Sequence, residues 1–122
     1  LMIANSIIVE DSSILVLGFT FKENCPDIRN TGVMSVIDAL KNYECEVDVY
    51  DPWVNQDEAS NLYHINVCNK VPEKKYDAVF IAVAHSCFLK IGVEGIINYC
   101  KRNFVIFDFK YLFGLDLRLE RL

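Results

Sequence analysis

The chain has 122 residues, 52% of them hydrophobic and 24% charged, with only 5 Gly and 3 Pro. Such a makeup belongs to one compact folded domain and excludes a disordered tail or a collagen-like repeat. The formal net charge of −5 has the wrong sign for a protein that holds nucleic acid by neutralising phosphates. The longest apolar run, residues 78–84, falls far short of the ~20 residues that cross a bilayer, and no basic stretch leads into a hydrophobic one at the start, so a cytoplasmic location is expected, with no nucleic-acid or membrane partner.

Residues 1–13 read as an arm from a preceding domain or linker, apolar near Met2 and Ile7 but without a clear period. The domain itself is taken as 14–122. Residues 14–17 (ILVL) form a continuous apolar run closed by Gly18, the pattern of a strand buried on both faces. From Thr31 the period changes to that of a helix, with Val33, Val36, Ile37, Leu40 and Tyr43 on one face and Asn30 or Thr31 as the cap. Residues 46–50 (EVDVY) alternate as a strand and end at Asp51-Pro52; 55–63 read as a short helix and 65–67 as an edge strand.

Residues 71–75 are a polar turn or one helical turn, and 77–84 are the most apolar strand, expected mid-sheet. Phe88 or Leu89, Val93, Ile96, Ile97 and Cys100 mark another helix face, interrupted by Gly92 and Gly95, and 104–107 (FVIF) form a last buried strand before Asp108. Residues 115–119 alternate as an edge strand or tail. The resulting βαβαβαβαβ order implies a Rossmann-like, three-layer α/β/α fold around a mostly parallel sheet of about five or six strands.

The five cysteines, at positions 25, 45, 68, 87 and 100, are odd in number and widely spaced, with no C-x-x-C pair and two histidines to join them. That pattern argues against zinc or a disulfide framework and favours buried reduced thiols.

In open parallel sheets ligands bind beyond the carboxyl ends of the strands, where the strand order reverses. The residues that follow the strands here include Lys22, Arg29, His85 and Lys110. Gathered at one edge of an acidic domain, they would make a positive focus suited to a phosphate-bearing small molecule, aided by the amino end of the helix near Thr31. The first loop lacks the close-approach glycines of G-x-G-x-x-G and carries Phe19 and Phe21 instead, and no G-K-[ST] follows, so it is neither a dinucleotide cradle nor a nucleotide-hydrolase loop.

Each residue also has a plainer reading. Lys22 is as readily a solvated charge as a ligand contact. Asp27 and Arg29 can form a local ion pair, a reading favoured for Asp27 and disfavoured for Arg29. His85 is better read as a satisfied, semi-buried histidine than as a ligand, and Asp51 as an Asp-Pro turn rather than a ribose-binding acid. Phe19 belongs in the core, while Phe21 can pack on a base or sugar.

The segment GFTFKENCPDIRN, residues 18–30, resembles the G-x-x-F-K-x-x-x-x-D-x-R signature opening the C-terminal domain of UDP-glucose/GDP-mannose 6-dehydrogenases. Three further landmarks are similar to that family in order: VYDP ending at Pro52, AVAH ending at His85 and FDFK ending at Lys110. The similarity runs over about 15–113, and its wording most resembles the branch acting on UDP-N-acetylhexosamines, the Vi-polysaccharide type.

The resemblance implies the nucleotide-sugar-binding domain of an NAD-dependent enzyme that oxidises a sugar's C6 alcohol to a uronate for polysaccharide biosynthesis. Phe21 and Lys22 match the family's substrate contacts, Lys110 stands where many members carry an Arg near the substrate, and Arg29 matches the residue that reaches toward NAD. The family's catalytic Cys segment and NAD fingerprint have no counterpart here, so no catalytic residue or metal ligand is assigned. The partners implied are a UDP-sugar, the rest of the dehydrogenase chain and a homo-oligomer. The alternatives are a stand-alone flavodoxin-like binding or regulatory module and a structural role in oligomer contact. A receiver-type module is disfavoured, because Gly18-Phe-Thr after the first strand offers no acidic pair.

Overall fold

The computed structural model describes residues 11–114 and 118–119. The apolar stretch within 1–10 and most of the possible strand at 115–119 lie outside them. The described elements are β1 (Ser13–Leu17), α1 (Val33–Asn42), β2 (Glu46–Tyr50), α2 (Gln56–Tyr63), β3 (Val67–Cys68), β4 (Tyr76–Ile81), α3 (Ser86–Ile97) and β5 (Cys100–Asp108). The strands form one sheet in the order β3-β2-β1-β4-β5, every pairing parallel. This is the three-layer α/β/α arrangement that the alternation of elements implied.

β1 is the axis of the sheet. Its residues pair with β2 on one side (Leu17 with Tyr50) and β4 on the other (Leu17 with Ile81). Alternate side chains enter opposite cores. Ile14 and Val16 join Ala78, Phe80, Val105 and Phe107 beneath α1 and α2, while Leu15 and Leu17 join Val79, Ile81 and Ile106 beneath α3. All four apolar residues of β1 are fully buried, which explains why its sequence shows no alternation.

Several expectations need correction. No helix joins β3 to β4; residues 71–75 are irregular with a bend at 73–74, so the chain has three described helices rather than four. The edge strand is shifted to Val67–Cys68. The β4 ladder stops at Ile81, although Ala82 and Val83 remain buried beyond it and both direct their N–H groups at the Leu17 carbonyl that ends β1. β5 starts at Cys100, with a register shift against β4 that its polar first half gave no sign of, and so Cys100 lies in the sheet and not on the α3 face.

The α1 cap also differs. Gly32 is the N-cap, Asn30 lies in the left-handed region at φ 61°, and the Thr31 hydroxyl accepts the Val33 N–H at 3.2 Å. Tyr43, expected on the buried face, is the exposed C-cap residue. In α3 the backbone breaks at Gly92, where φ 75° and ψ 166° are values glycine adopts without penalty. Of the cysteines, Cys45 and Cys100 are buried as expected; Cys25, Cys68 and Cys87 are half-buried, and none of the five is in a disulfide.

Gly18 is the other glycine whose freedom the fold requires. It has φ 101°, and a Cβ there would lie 2.6 Å from Val83 Cβ, so the chain leaving β1 can pass the end of β4 only without a side chain. This close crossing sets up the site described below.

The buried Tyr76 hydroxyl donates to Asp48 Oδ2 at 2.7 Å, and burial, with the carboxylate second, pushes its phenol far above its ordinary value of 10.0. Burial raises Tyr50 and Tyr99 in the same direction. The unfolded tyrosines ionise near 10 while the folded ones keep their protons, so the stability they contribute is complete below pH ~10 and is lost as pH climbs above it. Urea titrations from pH 8 to 11 should therefore show a fall beginning near 10. Tyr76→Phe should lower stability at pH 8 by about 1 kcal/mol and make the alkaline fall shallower.

Candidate functional site

The strand order places a topological switch between β1 and β4, since the chain moves from β1 outward to β2 and β3 and then returns to β1's other side. Loops leaving the carboxyl ends of two such strands diverge and leave a crevice. The strand ends below are held in line by backbone bonds: Gly18 N–H to the Tyr50 carbonyl at 2.9 Å, Ala82 N–H to the Leu17 carbonyl at 2.9 Å, and Phe109 N–H to the Ile81 carbonyl at 3.3 Å.

A hollow of about 230 Å³ lies at this switch. Ala82, Val83 and Phe109, from the chain just beyond β4 and β5, make an apolar floor. Gly32, Val33 and Val36, at the amino end of α1, make one wall, and Thr20, Phe21, Lys22 and Lys110 complete the lining. Neither lysine forms an ion pair among the described residues, while Phe21 is 56% exposed. Two uncommitted cations, a helix amino end and an open aromatic ring suit a phosphorylated ligand that also carries a flat ring.

Beneath the hollow lies a fully buried carboxylate. Asp51 Oδ2 accepts the Phe19 N–H at 2.7 Å, the Thr20 N–H at 3.2 Å and His85 Nε2 at 2.9 Å; its Oδ1 accepts the Trp53 N–H at 2.9 Å. His85 is also fully buried. Its Nδ1 accepts the Asn24 N–H at 2.8 Å, which places the ring proton on Nε2, facing Asp51. Asp108, at the end of β5, likewise spends its carboxylate on the backbone, accepting the Leu112 N–H at 2.9 Å and the Phe113 N–H at 3.1 Å, which shapes the turn that presents Lys110.

The expected four-cation focus is therefore reduced to two. Phe21, Lys22 and Lys110 share the hollow, but His85 is buried below it as a hydrogen-bonding strut. Arg29 lies on a second hollow with Cys25, Pro26, Asn55, Glu58 and Leu62. There it clasps Asp27 through Nε at 3.0 Å and Nη2 at 3.1 Å, and this hydrogen bonding holds the half-buried Asp27 carboxyl below its usual range. Asp51 is more than a turn residue, since it fastens three chain segments together. Gly32, Val36, Ala82, Val83 and Phe109 also line the hollow, although the sequence marks none of them as a contact. Their common signal was position, each lying just past a strand or at the start of the first helix.

The fold is that of a Rossmann-like domain, with a hollow at its switch point whose lining suits an anion. Residues 15–114 match the model of the UDP-glucose/GDP-mannose dehydrogenase family, UDP binding domain. The chain is 47% identical over 111 residues to a UDP-N-acetyl-D-glucosamine 6-dehydrogenase of Salmonella typhi, covering 91% of this chain and 26% of that protein. A Pseudomonas aeruginosa protein of the same name is 41% identical over 115 residues, covering 94% of this chain and 27% of its own. The solved UDP-D-ManNAc dehydrogenase of Pyrococcus horikoshii shares the fold at a TM-score of 0.76 over 98% of this chain and 27% of that one, with 22% identity.

The chain thus belongs to the UDP-glucose/GDP-mannose dehydrogenase family, in which it corresponds to the UDP-binding domain. It spans about a quarter of the length of the curated relatives it matches.

Replacing Asp51 with Ala should leave three backbone N–H groups and the His85 ring without their acceptor. A buried donor left unsatisfied costs about 1–3 kcal/mol, so the loss should be a large share of a domain's ~5–15 kcal/mol. Chemical denaturation should register that loss. Trp53, the chain's single tryptophan and a neighbour of the His85 ring at 6.2 Å, should report loosening of the site by fluorescence.

Proposed function

We propose that this chain is the nucleotide-sugar-binding part of an NAD-dependent UDP-sugar 6-dehydrogenase, acting on a UDP-N-acetylhexosamine and supplying a uronate for polysaccharide biosynthesis. The observation that carries this reading is the pair of exposed lysines, Lys22 and Lys110, on one hollow at the switch point with no ion-pair partner among the described residues. The printed names of relatives at 47% and 41% identity support the substrate class.

In this reading the lysines grip the diphosphate, the amino end of α1 faces the same charge, and Phe21 packs against the uracil or ribose. The chain's own work is to bind and orient the substrate. The oxidation of the C6 alcohol takes place on residues outside this chain, which pairs with them in the full-length enzyme and its homo-oligomer.

NAD itself does not fit the hollow. A dinucleotide cradle needs glycines at close approach, whereas this loop has buried Phe19 and exposed Phe21, and the space beside Gly18 is filled by Val83. Arg29, 80% exposed at its side chain and lining the second hollow rather than the first, is the residue this chain offers toward the cofactor.

Calorimetry with UDP, UDP-N-acetylglucosamine and free N-acetylglucosamine tests the reading. The two nucleotides should bind and the phosphate-free sugar should not. Lys22→Ala should weaken UDP binding by about ten- to hundredfold, the worth of one charge-assisted hydrogen bond at ~1.5–3 kcal/mol. Equal affinity for the phosphate-free sugar would overturn the assignment. Mixing the chain with NAD and UDP-N-acetylglucosamine should give no rise in absorbance at the reduced-cofactor band, and measurable reduction would show that the catalytic parts lie within it.

A further inference from the structure

Resting on the nucleotide-binding reading above, we infer that Asn24, Ser86 and His85 are positioning residues for that site. They fasten the loop bearing Phe21 and Lys22 to the start of α3, and none of the three lines the hollow.

The amino end of α3 lacks a cap of its own. Its N-cap residue is His85, whose side chain makes no capping hydrogen bond. Asn24 supplies one from 62 residues away: its Oδ1 accepts the Ser86 N–H at 2.9 Å, and its Nδ2 donates to Ser86 Oγ at 2.9 Å. The Asn24 backbone N–H donates to His85 Nδ1 at 2.8 Å. Asn24 has φ 54°, a left-handed conformation in which Asn is several-fold enriched over other non-glycine residues, and this turn brings both its side chain and its N–H to face α3.

Lys22 is held from its other side as well. Its carbonyl accepts the Thr20 hydroxyl at 2.9 Å, and Thr20 Oγ1 lies 3.2 Å from His85 Nε2. The Phe21 N–H closes the loop on the Asp27 carbonyl at 2.7 Å. Residues 21–24 are all exposed, so apolar burial does not fix this stretch. Its conformation rests on these hydrogen bonds, and the clasp on α3 ties it to the rest of the domain.

A lysine on a loose loop loses backbone as well as rotamer freedom when it grips a ligand, whereas on a fixed loop it loses only the latter. Preorganisation of this kind shows as affinity without any new contact to the ligand.

The test compares the affinity of this chain for UDP and its urea midpoint across Asn24→Gly, Ser86→Ala, Ser86→Thr and Lys22→Ala. Asn24→Gly tolerates the left-handed backbone but deletes the clasp, and should weaken UDP binding about tenfold, the worth of roughly one hydrogen bond. Ser86→Ala, an exposed substitution that leaves one of the two side-chain bonds, should weaken it about threefold and have no further effect in the Asn24→Gly background. Ser86→Thr keeps the hydroxyl and should bind as the unaltered chain does, with all Ser86 variants sharing its urea midpoint.

If Asn24→Gly and Ser86→Ala bind UDP normally while Lys22→Ala is weakened, the positioning role is overturned and the binding reading stands. A Ser86→Thr variant as weak as Ser86→Ala overturns it too. Failure of the unaltered chain to bind UDP overturns both.

Discussion

One buried carboxylate organises the ligand end of this domain. Asp51 sits at zero exposure where β2 stops, and its two oxygens accept from the first residues after β1, from the turn after Pro52 and from the histidine that opens α3. A charge so placed is tolerated only when hydrogen bonds replace its lost water, and four donors do so. The consequence is directional. Because the donors come from separate crossovers, satisfying the carboxylate and fixing the strand-end loops relative to one another are the same event.

The layers of the fold could be read in the sequence because local pattern carries them. An uninterrupted ILVL run marked a strand covered on both faces, EVDVY alternated in a strand that buries Val49 and leaves Glu46 exposed, and the face of α1 containing Val33, Ile37 and Leu40 followed the helical period. What local pattern could not show were the boundaries decided by distant partners. Ala82 and Val83 are as apolar as the strand before them, yet both N–H groups converge on the last carbonyl of β1 and the ladder goes no further. β5 begins as early as Cys100 because that residue pairs with Tyr76, while the polar residues 101–103 fall in the register shift before the ladder resumes at Val105.

The site divides along the same line. The switch-point rule and the order of motifs brought Phe21, Lys22 and Lys110 toward one place without any knowledge of side-chain direction. His85 and Arg29 were grouped with them because both follow strands and both can carry positive charge. Their actual surroundings depend on contacts of opposite range. His85 is committed to a carboxylate 34 residues away, which no periodicity reveals, whereas Arg29 is neutralised by Asp27 two residues before it, a pairing visible in the sequence but weighed there against a ligand role.

How an acidic domain keeps a cationic hollow follows from where its nearest acids are spent. Asp51 and Asp108 lie directly below the lysine-bearing loops, yet both are buried and turned onto backbone N–H groups, whose dipoles offset their charge locally. Asp27, on the same loop as Lys22, is occupied by the Arg29 fork. Had any of these carboxylates reached Lys22 or Lys110, the ion pair would have to be broken before an anion could be held. The acids instead shape the loops, leaving the two ammonium groups facing open solvent. Net charge and local field thus point in opposite directions, and the local field is the one a phosphorylated ligand meets at contact, since the more distant surface charges are screened within about 8 Å at physiological salt.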